Sequence, residues 1–186
     1  MVISLMRHRR SMRKFIKKQV EPEKIDILIE AALRSPSSMG RQPWEFIVVT
    51  ENGLLDKLSR SKQHGSAFLK NAPLGIVVCA DPEKSDVWIE DASVACTYIF
   101  LTAESLGLGA CWTQIRQRMH NDTKTAQEYV SEVLNIPPKI NVLSIIALGY
   151  PDEKKPPRTR EELLDEKVYN GLYGKLFKSK PRSKSS

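Results

Sequence analysis

Two polar segments near the N-terminus carry side chains that recognise phosphate. The arginine segment, residues 9–13 (Arg9-Arg10-Ser11-Met12-Arg13), places three guanidinium groups and a hydroxyl within five residues. The Ser/Gly loop, residues 35–44, follows about one helix length later. Arginine suits planar, bidentate recognition of phosphate, and a loop of Ser, Gly and Pro offers backbone N–H groups and small hydroxyls close to a ligand. Together the two segments predict a phosphate-bearing ligand.

The order of these motifs resembles a known family. Taken alone, the arginine segment also fits a kinase target or a solvated basic turn beside a short helix. In sequence order, however, R-R-S-x-R and P-S-x-x-x-x-Q-P-W are similar to the opening of the FMN-dependent nitroreductase family. The resemblance continues through residues 91–95, a G-L-G-x-x-W corner at 107–112 and residues 146–151, and it covers roughly residues 5–165. Collinear motifs over such a length rarely arise by chance.

The resemblance implies an FMN site built on the arginine segment. In the family this segment holds the flavin phosphate and ribityl chain. By position, Arg9, Arg10, Ser11 and Arg13 are therefore expected to contact the phosphate, the ribityl chain and the pyrimidine side of the flavin.

The Ser/Gly loop implies a second subunit. In the family this loop reaches the flavin of the neighbouring subunit, and the matching residues are Ser37, Ser38 and Gln42. Gly40 stands where many members carry an asparagine, so one polar contact is expected to be lost. The resemblance thus implies a homodimer with FMN at the interface.

Two later stretches are implied to complete the site. Thr113, Gln114 and Ile115 match the stretch whose backbone faces the isoalloxazine, where an N–H approaches the reactive N5. Arg158 and Arg160 match two basic residues of the phosphate site, although each taken singly is equally a solvated charge. Arg116 and Arg118 are unusual for the family. They are interpreted as a solvated strand end, or as charges that attract either an acidic acceptor or the extra phosphate of NADPH.

A flavin would carry the redox chemistry itself, so no catalytic side chain is predicted. Arg13 is the candidate for stabilising the anionic reduced flavin near its pyrimidine ring. The activity that the resemblance implies is ping-pong: NAD(P)H reduces FMN and leaves, and a nitroaromatic, quinone or similar acceptor then takes the electrons. Two other classes remain: an FMN-binding protein with a storage, sensing or specialised role, and a small basic nucleic-acid binder.

Composition limits the nucleic-acid alternative. The chain has 186 residues and a net charge of +7. Five of these charges lie in the acid-free stretch 175–186, which leaves only about +2 for the remainder, too little to predict a nucleic-acid surface.

Cysteine and histidine usage predicts no metal site. Cys79, Cys96 and Cys111 are an odd number, far apart and without C-x-x-C spacing, and the three histidines are equally scattered. The apolar stretch before Arg7 is too short for a signal peptide. No apolar run in the sequence approaches the length of a membrane span. A cytoplasmic protein is expected.

Hydrophobic patterning predicts alternating helices and strands. The predicted helices cover 2–8, 22–34, a short stretch near 54–58, 85–106 and a stretch capped at Asn121-Asp122. The predicted strands cover 46–50, 74–80, 110–113 and 142–151. The G-x-G-x-x-G turn of a dinucleotide fold is missing. We therefore predict an α+β fold with a mostly antiparallel central sheet flanked by helices, a single domain over residues 1–174, and a basic disordered tail over 175–186.

Overall fold

The computed structural model describes residues 1–177. The helices are α1 (Val2–His8), α2 (Pro22–Leu33), α3 (Asn52–Ser59), α4 (Trp88–Ser105) and α5 (Ala126–Leu134); the strands are β1 (Trp44–Val49), β2 (Leu74–Ala80), β3 (Gly109–Gln114) and β4 (Asn141–Gly149). Chain contacts divide the protein into a first unit, Met1–Pro156, and a second that starts at Pro157. The single domain over 1–174 stays a prediction, and most of the predicted tail lies outside the described residues.

The first unit is organised around one sheet. Its four strands are all antiparallel and lie in the order β1-β2-β4-β3, so β1 and β3 form the two edges. Ile146 of the central strand β4 lies opposite Ile76 of β2 and Trp112 of β3. This arrangement confirms the predicted α+β fold with a mostly antiparallel sheet.

Each face of the sheet carries its own apolar cluster, because side chains of a strand alternate between faces. Ile76 and Val78 of β2 pack with residues of α2 and α4. Val77 and Cys79 pack with residues of α3 and α5. Every residue of β2 is buried, which confirms the prediction of a buried strand. We name the two sides the α2/α4 face and the α3/α5 face.

Prolines mark the helix ends where the sequence predicts them. Pro22 is the first residue of α2, a position that needs no N–H donor. The helix ends at Leu33, before Ser35-Pro36. Helix α4 has seven buried residues among its 18, spread from Trp88 to Ala103, and Tyr98 is exposed. Among residues 1–177, none of the helices is long and apolar enough to cross a membrane.

Two predicted details are wrong. Residues 46–50 are predicted as a buried strand, yet Val48 is 40% exposed because β1 is an edge that pairs only with β2. Helix α5 is capped by Thr125 rather than by Asn121-Asp122, and its first residue is Ala126. Thr125 accepts a hydrogen bond from the Glu128 N–H at 3.1 Å, and Glu128 accepts one from the Thr125 N–H at 2.7 Å. Asn121 closes the preceding turn instead.

The second unit, described to residue 177, has little regular structure. It contains a short 3₁₀ helix, Asp165–Lys167, and an isolated bridge between Tyr169 and Leu176. The rings of Tyr169 and Tyr173 lie 4.6 Å apart between centroids.

Candidate functional site

The arginine segment lies along the outer edge of β3. Ser11 forms an isolated parallel bridge with Ala110, and the Met12 N–H donates to the Ala110 carbonyl at 3.0 Å. A Cβ on Gly109 would lie 2.8 Å from the Met12 Cβ, so glycine permits this close approach. The last glycine of the G-L-G corner therefore seats the arginine segment on the sheet.

The three guanidinium groups of this segment do not converge on one point. The Arg9 guanidinium lies 5.9 Å from the Phe100 ring centroid, and that of Arg13 lies 5.9 Å from the Phe68 centroid. Phe100 packs on the α2/α4 face and Phe68 on the α3/α5 face, so Arg9 and Arg13 lie on opposite sides. Arg10 donates a hydrogen bond to the Pro156 carbonyl.

Glu153 holds the backbone of the arginine segment. Its Oε1 accepts hydrogen bonds from the N–H groups of Arg13 at 2.5 Å and Lys14 at 3.2 Å. Lys155 Nζ donates to the same oxygen at 3.0 Å and to the Ser11 carbonyl at 2.6 Å. These bonds, chiefly that from Arg13, hold the pKa of Glu153 below its usual range despite the opposing effect of desolvation. The carboxylate is therefore ionised at neutral pH.

Cys111 lies on the α3/α5 face of β3 among several charges. Burial raises the pKa of its thiol, while the positive charges of Arg13, Lys155 and Lys62 act in the opposite direction. We name Arg13, Lys62, Glu153 and Lys155 the Cys111 cluster. Of these four, the sequence reasoning identified only Arg13.

The end of β3 presents one backbone N–H away from the sheet. The Ile115 N–H donates to the Leu143 carbonyl of β4 at 3.2 Å, so it is not free for a ligand. Alternation along an antiparallel strand directs the Gln114 N–H to the opposite side, the outer edge. The Gln114 side chain is held by Trp112 Nε1 at 2.8 Å and by the Arg116 carbonyl at 2.9 Å. Of the three predicted residues here, Gln114 thus offers the donor.

Thr113 is buried on this strand. Its Oγ1 is inaccessible and has no hydrogen-bond partner among the described residues. A buried hydroxyl without a partner is uncommon in folded proteins. The Thr113 side chain therefore adds no exposed group to the candidate site.

The Ser/Gly loop is anchored to the start of α4. The Ser38 N–H donates to Asp91 Oδ1 at 2.8 Å, and Ser85 Oγ donates to Asp91 Oδ2 at 2.8 Å. The Gln42 N–H donates to Ser37 Oγ at 2.9 Å. Gln42 itself has a φ of 48°, and Met39 and Gly40 also have positive φ. The loop is thus a tight, specifically held turn.

The loop and the arginine segment contact different parts of α4. Ser38 is bonded to Asp91, whereas Arg9 lies over Phe100. These two helix positions are nine residues apart, which corresponds to about 13 Å along the axis. One chain therefore does not bring the two motifs side by side.

Arg158 and Arg160 belong to the second unit. Both are exposed, and Arg160 Nη2 forms an ion pair with Asp165 Oδ2 at 2.5 Å. Their predicted part in a phosphate site stays a prediction.

The residues of this edge fit an anionic, hydrogen-bonding ligand such as FMN. Arg13, Lys62 and Lys155 supply positive charge, and the acid beside them, Glu153, is engaged by backbone N–H groups. The outward Gln114 N–H is the kind of donor that a ring nitrogen requires. Within residues 1–177 no group of three or more His, Cys, Asp or Glu side chains is placed to hold a metal ion.

Known proteins share both the sequence and the fold of this chain. A family model described as the nitroreductase family matches residues 6–63 and 55–150. An archaeal protein from Archaeoglobus fulgidus, provisionally named NADH dehydrogenase/NAD(P)H nitroreductase, is 38% identical over 151 residues, or 79% of this chain and 83% of its own length. A protein of the same provisional name from Methanothermobacter thermautotrophicus is 34% identical over 90% of this chain and 85% of its own.

A solved structure gives the same result. An FMN-dependent nitroreductase from Clostridium difficile is 48% identical, with a TM-score of 0.91 over 92% of this chain and 99% of its own. The expected family and its fold are thus confirmed. The sequence motifs, including the G-L-G corner that seats the arginine segment, and the antiparallel sheet agree with these matches. This chain belongs to the nitroreductase family.

Proposed function

We propose that this protein is an FMN-dependent oxidoreductase that takes hydride from NAD(P)H and passes electrons by a ping-pong mechanism to a nitroaromatic, quinone or similar acceptor. The observation that carries the proposal is the Cys111 cluster. There Glu153 joins Arg13 and Lys155, accepting from the Arg13 N–H and from Lys155 Nζ, beside a strand edge with an outward N–H, in a chain of the nitroreductase family.

The residues of the arginine segment bind and orient the cofactor. Bound FMN would supply the hydride and electron transfer. Arg13, whose guanidinium lies over Phe68 on the α3/α5 face, stabilises negative charge on the pyrimidine side. Arg9 and Arg10 hold the phosphate and ribityl parts together with Ser11, and the Gln114 N–H donates to the flavin ring.

The active form is a homodimer with FMN at its interface. The wide spacing of the two motifs along α4 supports this, because one chain does not bring them together. Ser37, Ser38 and Gln42 of one subunit then contact the flavin of the other. A role of Arg158 and Arg160 in phosphate binding stays the expectation that the family resemblance gives.

Side-chain acid–base or nucleophilic catalysis is not part of the proposal. The thiol of Cys111 has a pKa raised by burial and stays protonated at neutral pH. Cys79, Cys96 and Cys111 are all free and buried, in agreement with our placing of the protein in the cytoplasm.

The first test is an absorption spectrum of the purified protein, followed by anaerobic addition of NADH and, separately, NADPH. Flavin bands that bleach with either nucleotide are the expected result, and their relative rates identify the preferred donor. Bands that persist with both nucleotides would contradict the oxidoreductase function and favour an FMN-binding role. A colourless protein that also refuses added FMN would contradict both.

A further inference from the structure

A concave site lined by Lys62 lies apart from the residues of the arginine segment. A groove of about 420 Å³ runs past the end of α3 and the 3₁₀ helix Ala67–Asn71. Its volume is within the range of about 300–1,000 Å³ that small-molecule sites occupy. We name it the Lys62 groove, and its charged or titratable walls are Asp56, Arg60, Lys62, Lys70 and His120.

The groove has an excess of positive charge. Its one acid, Asp56, is paired with Arg60, whose Nη1 lies 2.8 Å from Asp56 Oδ2. No ion pair found among residues 1–177 includes Lys62 or Lys70. Two ammonium groups on the groove wall are therefore available to a ligand.

Lys62 in particular lacks compensation for its charge. Partial burial and the positive charge of Arg118 both disfavour the protonated amine and lower its pKa, although Cys111 acts in the other direction. A bound anion would relieve both effects.

His120 is held rigidly on the groove wall. Its Nδ1 lies 2.8 Å from the Arg60 carbonyl oxygen, which can only accept, so Nδ1 carries the hydrogen. The ring stacks on Tyr129 with centroids 4.0 Å apart. A polar ring fixed on both counts is preorganised for a ligand, because little rotational freedom is lost on binding.

We propose that the Lys62 groove binds a phosphate of the nicotinamide nucleotide donor, with Lys62 and Lys70 as the contacting cations. The inference rests on the proposed function for its choice of nucleotide. Two phosphates have the required chemistry: the pyrophosphate shared by NADH and NADPH, and the 2′-phosphate that only NADPH carries.

The test is calorimetric binding of ADP and of adenosine 2′,5′-bisphosphate to the FMN-loaded protein. Lys62→Gln and Lys70→Gln are compared with Lys57→Gln, which removes the same charge from an exposed residue of α3 outside the groove. Each groove variant is expected to bind about tenfold more weakly, which is the loss of one charge-assisted contact. The control is expected to stay within about twofold of the wild type.

The two probes separate the two phosphates. Loss of ADP affinity assigns the groove to the pyrophosphate, and loss confined to the bisphosphate assigns it to the 2′-phosphate. Equal affinities in wild type, groove variants and control, with unchanged melting temperatures, would overturn the proposal, as would no binding of either probe.

This binding experiment needs no turnover, so its result tests the groove independently of the proposed oxidoreductase function. A protein that binds the probes through Lys62 and Lys70 but is not reduced by NADH or NADPH would refute the oxidoreductase function alone. A protein that is reduced by both, with the same KM for each donor in wild type and groove variants, would refute the groove alone.

Discussion

The guanidinium of Arg13 is available to bind a ligand because the nearby carboxylate of Glu153 is bonded to other groups. That carboxylate bonds the backbone N–H groups of Arg13 and Lys14 and not the arginine side chain. Among the ion pairs of residues 1–177, none uses the Arg13 guanidinium, which lies instead near the Phe68 ring. A cation that would otherwise pair with the nearest acid thus stays free for an anionic ligand.

Replacing Glu153 with Gln tests this arrangement. The neutral amide oxygen accepts weaker bonds from the two backbone N–H groups and loses the ion pair with Lys155, so we expect a loss of about 1–3 kcal/mol in unfolding free energy at pH 7 and weaker FMN binding. Urea unfolding and FMN titration measure the two effects. Glu45→Gln on the exposed surface of β1 is the control and should change neither.

The effect of Glu153→Gln on the free energy of unfolding should depend on pH. The pKa of Glu153 is lowered in the folded protein, so its stabilising contribution is complete above the ordinary value of about 4.3 and is lost as pH falls through the lowered pKa. The stability difference between wild type and Glu153→Gln should therefore shrink below about pH 4.3. A difference that stays constant down to pH 3 would contradict this role.

Among the elements, the edge of β3 and the end of β4 decide where the arginine segment lies. Gly109 and Gly149 face each other in the register of these strands. A Cβ on Gly149 would lie 2.5 Å from Pro73 Cδ and 3.1 Å from Phe15 Cδ1. Phe15 lies two residues after Arg13, so a displacement of Phe15 would also displace the arginine segment.

Gly149→Ala is accordingly expected to destabilise the protein by about 1–3 kcal/mol, the usual cost of overpacking. FMN affinity should fall with it, because Pro73 must shift and Phe15, which follows the arginine segment, must move by a few tenths of an ångström. Gly53→Ala is the matched control, since a Cβ there meets nothing within 4 Å and an alanine in α3 should leave stability equal or slightly higher. Thermal unfolding and flavin content distinguish the two; equal melting temperatures would contradict the prediction.

For the whole molecule, the proposed homodimer makes a prediction about mixed subunits. Arg13→Ala removes a cation from the arginine segment and should weaken FMN binding by about 1–3 kcal/mol. Ser38→Phe places a bulky ring on the Ser/Gly loop and should prevent that loop from contacting the flavin of the partner subunit. When the two variants are refolded together, each mixed dimer regains one intact site, so about one site in four should bind FMN normally.

Flavin content of the refolded mixture is the measurement, and each variant refolded with itself is the control. A mixture that binds no more FMN than the average of its two components would mean that the loop and the arginine segment act within one chain. That outcome would contradict the shared site while leaving the fold unchanged.

Local spacing in the sequence predicts the elements and the family motifs. Pro22 and Pro36 set the ends of α2 because proline restricts its own backbone and that of its neighbour. The unbroken apolar run 74–80 predicts a buried strand, and β2 is buried. These features depend on residues close together in sequence. The arginine segment and the Ser/Gly loop were recognisable for the same reason.

Only the tertiary structure places Glu153 on the arginine segment and brings Lys62 and His120 to one groove. The Glu153 carboxylate bonds a backbone 140 residues away, and no periodicity of either segment encodes that pairing. The edge position of β1, and with it the exposure of Val48, depends likewise on which strand it meets. Helix ends and buried strands follow from local backbone restrictions and side-chain periodicity, whereas the surroundings of a charge follow from how distant segments pack together.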